Sequence, residues 1–204
     1  MRVSGAKQND PLIEKLDARD AALNLPNSLT FVRLLLIPIF VALYATPTPE
    51  RALAAAAVFG IAALTDLLDG YLARRRSEVT RLGRLLDPIA DKLLVLSGLI
   101  LLVEFQHVSA IVAILIIGRE VAVTGIRAVA AAEGVIMSAE ATGKYKMVAQ
   151  VVAIVALIVA DAFDTVWQLT AIGNVLLYIA LVLGLFSGAR YLVTFWRQVA
   201  LRGF

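Results

Sequence analysis

The chain has 204 residues, of which 60% are hydrophobic, and a formal net charge of +3. A soluble domain of this size is nearer ~45–50% apolar, so the expected class is an all-α integral membrane protein. The absence of cysteine excludes disulfides, thiolate metal sites and thiol chemistry, and a single histidine excludes a multi-histidine centre.

Residues 1–24 are polar and mixed. Within DPLIEKLDARDAAL, residues Leu12, Ile13, Leu16 and Leu23 share one helical face, which predicts a short juxtamembrane amphipathic helix. Residues 1–24 therefore read as a cytoplasmic tail and surface helix, and 25–204 as one membrane domain. Six spans follow in order, at about 27–45, 51–74, 84–103, 108–131, 145–160 and 167–195, each near the ~20 residues that cross a bilayer. Continuous apolar stretches, without alternation, argue against a β-barrel.

Orientation follows from the basic residues. With the N-terminus inside, Arg74, Arg75, Arg76, Arg81, Arg84, Lys144, Lys146, Arg197 and Arg202 all fall on the cytoplasmic side. The opposite side carries Arg51 against Glu50, Glu104, Asp161 and Asp164. This asymmetry predicts both termini in the cytoplasm and a cytoplasmic (inner) membrane location. The basic balance reads as topology and lipid attraction, with no nucleic acid implied.

The stretch TDLLDGYLARRRSEVTRLGRLLDPIADK breaks the apolar pattern. Asp66 and Asp69 are three residues apart near the end of the second span, and Asp87 and Asp91 are four apart near the start of the third. Each pair shares a helix face. The intervening segment is short, so the two helices are expected to be antiparallel neighbours with four carboxylates converging at one depth. Unpaired, that cluster would be strongly unfavourable. Salt bridges to Arg74, Arg84 and Lys92, or exposure of the helix ends to water, would relieve one carboxylate more readily than four. A pair of divalent metals ~3.5–4 Å apart, the usual device for phosphoryl-type displacement, relieves all four. Oxygen-only ligands favour Mg²⁺, Mn²⁺ or Ca²⁺. Gly70 permits close approach of a ligand, Ala73 and Gly83 leave space, and Arg74 can fork onto phosphate oxygens.

Asp66-x-x-Asp69-Gly70-x-x-Ala73-Arg74, followed after eight residues by Gly83-x-x-x-Asp87-x-x-x-Asp91, resembles the complete signature of the CDP-alcohol phosphotransferase family. The resemblance implies a six-helix membrane enzyme, working as a homodimer, that displaces CMP from a CDP-linked lipid or alcohol with Mg²⁺ or Mn²⁺. It implies that Asp66 and Asp87 bridge both metals, that Asp69 completes one site, and that Asp91 completes the other. Asp91 is also the implied general base on the acceptor hydroxyl. Gly70, Ala73, Arg74 and Gly83 would line the CDP pocket, with Thr80 beside it.

Acceptor choice rests on weaker signals. Asn27 and Thr30 share a face with Arg33 in the first span. They read either as a helix cap with an interface arginine or as part of the CDP-diacylglycerol site. Arg119 lies deep in the fourth span, where an arginine usually faces a polar cavity. Its neighbour Glu120 points about 100° away, so the two are not expected to pair. Arg119, Arg127, Lys144 and Arg190 could form a basic pocket suited to an acceptor that carries a phosphate. Segments NLPNSLTFVRLLLIPIF, GRE with GIRAVAAAEG, and GKYKMVAQ resemble the branch that uses glycerol 3-phosphate. Met147 stands where that branch usually has threonine. The same chemistry on inositol phosphate, serine or phosphatidylglycerol is the nearest alternative. A transporter would spread its charges through the membrane depth, and a scaffold has no use for four facing carboxylates. Gly184-x-x-x-Gly188 is a small-residue spacing that permits close helix contact between copies.

Overall fold

The computed structural model describes residues 25–76, 81–132, 141–163 and 167–198. These form six helices: α1 (Leu25–Tyr44), α2 (Pro49–Arg76), α3 (Arg81–Glu104), α4 (Ala110–Ala132), α5 (Ala141–Ala160) and α6 (Trp167–Gln198). No strand occurs among the described residues. The expected surface helix before residue 24 lies outside them. Most helix ends fall within a few residues of the expected spans: α2 overruns at both ends, α3, α5 and α6 extend into charged or polar termini that hydropathy alone excludes, and α4 starts two residues later than expected.

Local sequence explains the ends. Thr48 caps α2, its Oγ1 accepting from the Arg51 amide at 3.3 Å, while Pro49 takes the first helical position, where no N–H is needed. Helix α3 ends in a Schellman turn. The His107 amide donates to the Leu102 carbonyl at 2.9 Å and the Gln106 amide to Val103 at 3.0 Å. Gln106 takes the left-handed conformation, φ 61°, that this turn usually gives to glycine. The turn carries His107 onto Asp161, which also accepts from the Tyr44 hydroxyl. The ring of Tyr44 meets Phe105 edge-on at 5.3 Å. Ends of α1, α3 and α5 are thus tied together, so these helices run in one direction. The aspartate segment between α2 and α3 belongs to the opposite end.

The core sits toward the tied end. Phe40, Phe59, Leu99, Leu102, Ile154, Leu157 and Ile158 are fully buried, and Phe40 packs edge-on against Phe59 at 5.2 Å. Helix α5 packs most extensively on α6, and α1 on α2. Helix α3 lies more against α1 than against α2, so the pair expected to be mutual neighbours meets with α1 alongside. Helix α4 leans on α6 and only lightly on α3.

Close approach of α5 and α6 depends on Gly173. A Cβ there would stand 2.7 Å from Leu157 Cγ and 3.2 Å from the Ala153 carbonyl oxygen. Gly173→Ala is therefore expected to destabilise by about 1–3 kcal/mol, although helix propensity alone favours alanine. Gly60→Ala, with nothing within 4 Å of the added carbon, should be tolerated. Thermal unfolding in detergent compares the two, and equal midpoints would refute the packing account.

The exterior is apolar. Leu35, Ile111, Ile114, Val182 and Phe186 are each more than 60% exposed. Among the described residues, one helix, Trp167–Arg197, is long and apolar enough to cross a membrane by itself, with mean hydropathy 2.2. Trp167 and Trp196 are exposed at its two ends, where interface aromatics belong. Helix α4 carries Arg119, Glu120 and Arg127, which interrupt its apolar run.

Candidate active site

The signature aspartates fall on the two helices expected. Asp66, Asp69, Gly70, Ala73 and Arg74 belong to α2, and Gly83, Asp87 and Asp91 to α3. Of this set only the Asp91 side chain is among those described. Thr80 lies outside the described residues, as do the side chains of Asn27 on α1 and Lys144 on α5. Among the described residues no three acidic or histidine side chains cluster. His107 is separated from Asp91 by most of α3, about 20 Å of helix rise, and is committed to Asp161. The donor set on α2 and α3 is therefore oxygen-only, which fits a hard divalent cation and excludes a mixed imidazole site.

Asp91 is half-buried and opens onto a cavity of about 540 Å³ between α3, α4 and α5. Lys92, Glu120, Thr124, Lys146 and Gln150 supply its other polar walls, and Leu96, Leu99, Ile116 and Ile117 are among the apolar ones. Met147 adds a thioether rather than a hydroxyl to that lining. Two carboxylates, two ammonium groups and an apolar recess thus share one space.

Arg119 and Glu120 do pair, contrary to expectation: Arg119 Nη1 lies 2.8 Å from Glu120 Oε1. Adjacent Cβ atoms diverge on a helix, but both side chains are long enough to curve back toward one another. Arg119 is held from two further directions. Its Nε donates to the Gly184 carbonyl at 2.8 Å and Nη2 to the Ser187 hydroxyl at 3.1 Å. Glu120 also pairs with Lys146. Lys146, read from sequence as a cytoplasmic anchor, is 6% exposed and points into the bundle. The cluster links α4, α5 and α6, so each buried charge is partnered.

Gly184 and Gly188 serve this cluster. A Cβ on Gly184 would stand 3.2 Å from Lys146 Cδ, and one on Gly188 3.3 Å from Arg119 Cγ. The pair makes room for the arginine and lysine stems inside one chain. Arg127 and Arg190 are exposed while Arg119 is interior, so these three of the four basic residues expected together differ in surroundings, and the Lys144 side chain lies outside the described ones.

Thr30 and Arg33 face inward, at 2% and 0% exposure. Arg33 Nε donates to the Ala62 carbonyl at 3.3 Å, and Thr65 Oγ1 donates to the same oxygen at 2.7 Å. Helix α1 is thus pinned to α2 one turn before Asp66. Asn27 lies within the first turn of α1, so the helix begins before it and the cap reading is corrected. Glu120, Lys146, Gln150 and Arg33 were not singled out as site residues by sequence. A charged residue inside an apolar run was the available signal: Arg33 carries it alone, and Glu120 carries it beside Arg119.

The sequence profile of the CDP-alcohol phosphatidyltransferase family matches residues 23–186. Three bacterial proteins named CDP-diacylglycerol–glycerol-3-phosphate 3-phosphatidyltransferase are similar over most of their lengths. That of Bacillus subtilis is 40% identical, covering 86% of this chain and 97% of its own. That of Pseudomonas fluorescens is 40% identical, covering 89% and 94%. That of Haemophilus influenzae is 38% identical, covering 83% and 91%. With the signature spread across α2 and α3 and the match running through all six helices, the chain belongs to the CDP-alcohol phosphatidyltransferase family.

Proposed function

We propose that this chain transfers the phosphatidyl group of CDP-diacylglycerol to glycerol 3-phosphate, forming phosphatidylglycerophosphate and CMP. The observation that carries the reading is the shared name of relatives that match nearly end to end. The acceptor hydroxyl oxygen attacks the phosphorus that bears diacylglycerol. A new O–P bond forms, the P–O bond to the CMP phosphate breaks, and CMP leaves with the electron pair. Asp91 takes the hydroxyl proton.

Asp66, Asp69, Asp87 and Asp91 would hold two divalent cations, Mg²⁺ or Mn²⁺. When bound, these neutralise pyrophosphate charge and make CMP a better leaving group. Gly70, Ala73, Arg74, Thr80 and Gly83 would line the cytidine diphosphate site, with Asn27 and Thr30 near it on α1. Arg127, Lys144 and Arg190 would receive the acceptor phosphate. Arg119 would border that pocket, since its described contacts use only part of the guanidinium donor set. The six helices would cross the cytoplasmic membrane with both termini and the aspartates on the cytoplasmic side. The exposed apolar exterior and the tryptophans ending α6 support this placement. A homodimer belongs to the same reading, on the family resemblance alone.

The test is CMP release by purified protein in detergent with CDP-diacylglycerol. Release is expected only with both glycerol 3-phosphate and divalent metal, and EDTA should stop it. Metal-dependent release only with inositol phosphate or serine would keep the chemistry and overturn the acceptor.

A further inference from the structure

Gln150 is buried at 3% exposure, yet its Nε2 has no hydrogen-bond partner among the described residues. It lies one helical turn from Lys146 on α5, and both line the cavity onto which Asp91 opens. A buried donor without an acceptor is unfavourable enough to need a reason. Its surroundings suggest one. The cavity rim includes Ile89 and Leu93 of α3 and Val121 of α4, exposed by 45%, 42% and 64%. Helices α3 and α4 touch only lightly, and these exposed apolar side chains lie along the cavity between them, which leaves it an apolar flank. A water-soluble acceptor has no reason to enter by that route. An amphiphile from the lipid phase does.

The order of groups along the cavity matches one class of amphiphile. Asp91 and Lys146 mark its polar end, Gln150 follows, and Leu99 and Ile116 form the apolar recess. A diacyl glycerolipid presents phosphate, then ester carbonyls, then hydrocarbon. The ester carbonyl accepts a hydrogen bond and cannot donate one, which is the complement of an unpartnered amide N–H. We propose that Gln150 binds an ester carbonyl of the lipid donor and so selects ester-linked over ether-linked CDP-lipid. The proposal rests on the transferase reading for the identity of the donor.

A neighbouring void of about 10 Å³, bounded by Arg119, Glu120, Lys146, Gln150 and Gly184, has room for one water. A water bound there would satisfy Gln150 without any lipid, and that is the competing account.

The experiment compares CDP-diacylglycerol with its dialkyl ether analogue of matched chain length, on wild type and on Gln150→Met. Donor binding is read by thermal shift without acceptor, and turnover by CMP release with glycerol 3-phosphate. Wild type should prefer the ester donor roughly tenfold, the value of one buried hydrogen bond, and Gln150→Met should bind both donors at the ether level. The lipid-free variant should melt no lower than wild type, because the substitution removes an unpartnered amide. Equal binding of the two donors by wild type overturns the proposal, as does a preference that survives in Gln150→Met. A lower melting point of the variant with the ester preference intact would favour the bound water. Ester preference in binding, with no CMP release on adding glycerol 3-phosphate, would strike the acceptor assignment and leave the role of Gln150 standing.

Discussion

Asp91→Asn is expected to lower CMP release by roughly a thousandfold while leaving the bundle folded. The amide keeps the shape of the carboxylate but cannot take the acceptor proton, and it is a poorer ligand for a divalent cation. Asp91 is half-buried at a cavity wall, so an isosteric change there opens no void. Turnover and melting temperature should be measured on the same preparation. Near-normal turnover would remove Asp91 as the base. Lost turnover with a collapsed melting transition would point to a structural role instead.

Glu120→Gln should have the largest effect on stability. Glu120 pairs with both Arg119 and Lys146, whose side chains are 11% and 8% exposed. Neutralising it leaves two cations facing each other in the interior, a change expected to cost about 3 kcal/mol. The cost falls at the lower end of the range for broken buried pairs because the Glu120 side chain keeps 23% exposure. Adding Lys146→Met should recover part of the loss, since an apolar replacement of a buried pair is often neutral. Arg119 would still be held by Gly184 and Ser187. Additive losses in the double variant would mean that Glu120 and Lys146 do not stabilise each other.

Much of this was readable from the chain because it depends on local spacing. Apolar runs and their charged borders give six helices. The spacing within each aspartate pair assigns Asp66 with Asp69 and Asp87 with Asp91 to one face each, whatever the tertiary packing. Partners across helices were not readable in the same way. Arg119 and Glu120 diverge on a helical wheel, and only the approach of α5 and α6 shows why they turn together. Lys146 looks like any basic residue near a helix start until α5 is seen to begin at Ala141, which places it inside the bundle. Gln150 carries no sequence signal at all, because a polar residue in an apolar run becomes informative only when its neighbours are known. The glycines at 184 and 188 were ambiguous for a related reason. Small residues mark close approach, but the sequence does not say whether a second chain or an arginine stem is approaching.

The buried charge cluster also bears on how the chain enters a membrane. Arg119 and Glu120 emerge from the ribosome well before Lys146, Gly184 and Ser187, the groups that partner them. Until then α4 would have to rest in lipid with two charges matched only to each other, at about 2.5–3.5 kcal/mol for each one near mid-bilayer. Helix α4 is thus a poor free-standing insertion unit. On the proposed six-span arrangement, its residence in the bilayer would become secure only when the last two helices arrive, so a nascent chain truncated before α5 should leave α4 at the translocon or at the membrane surface.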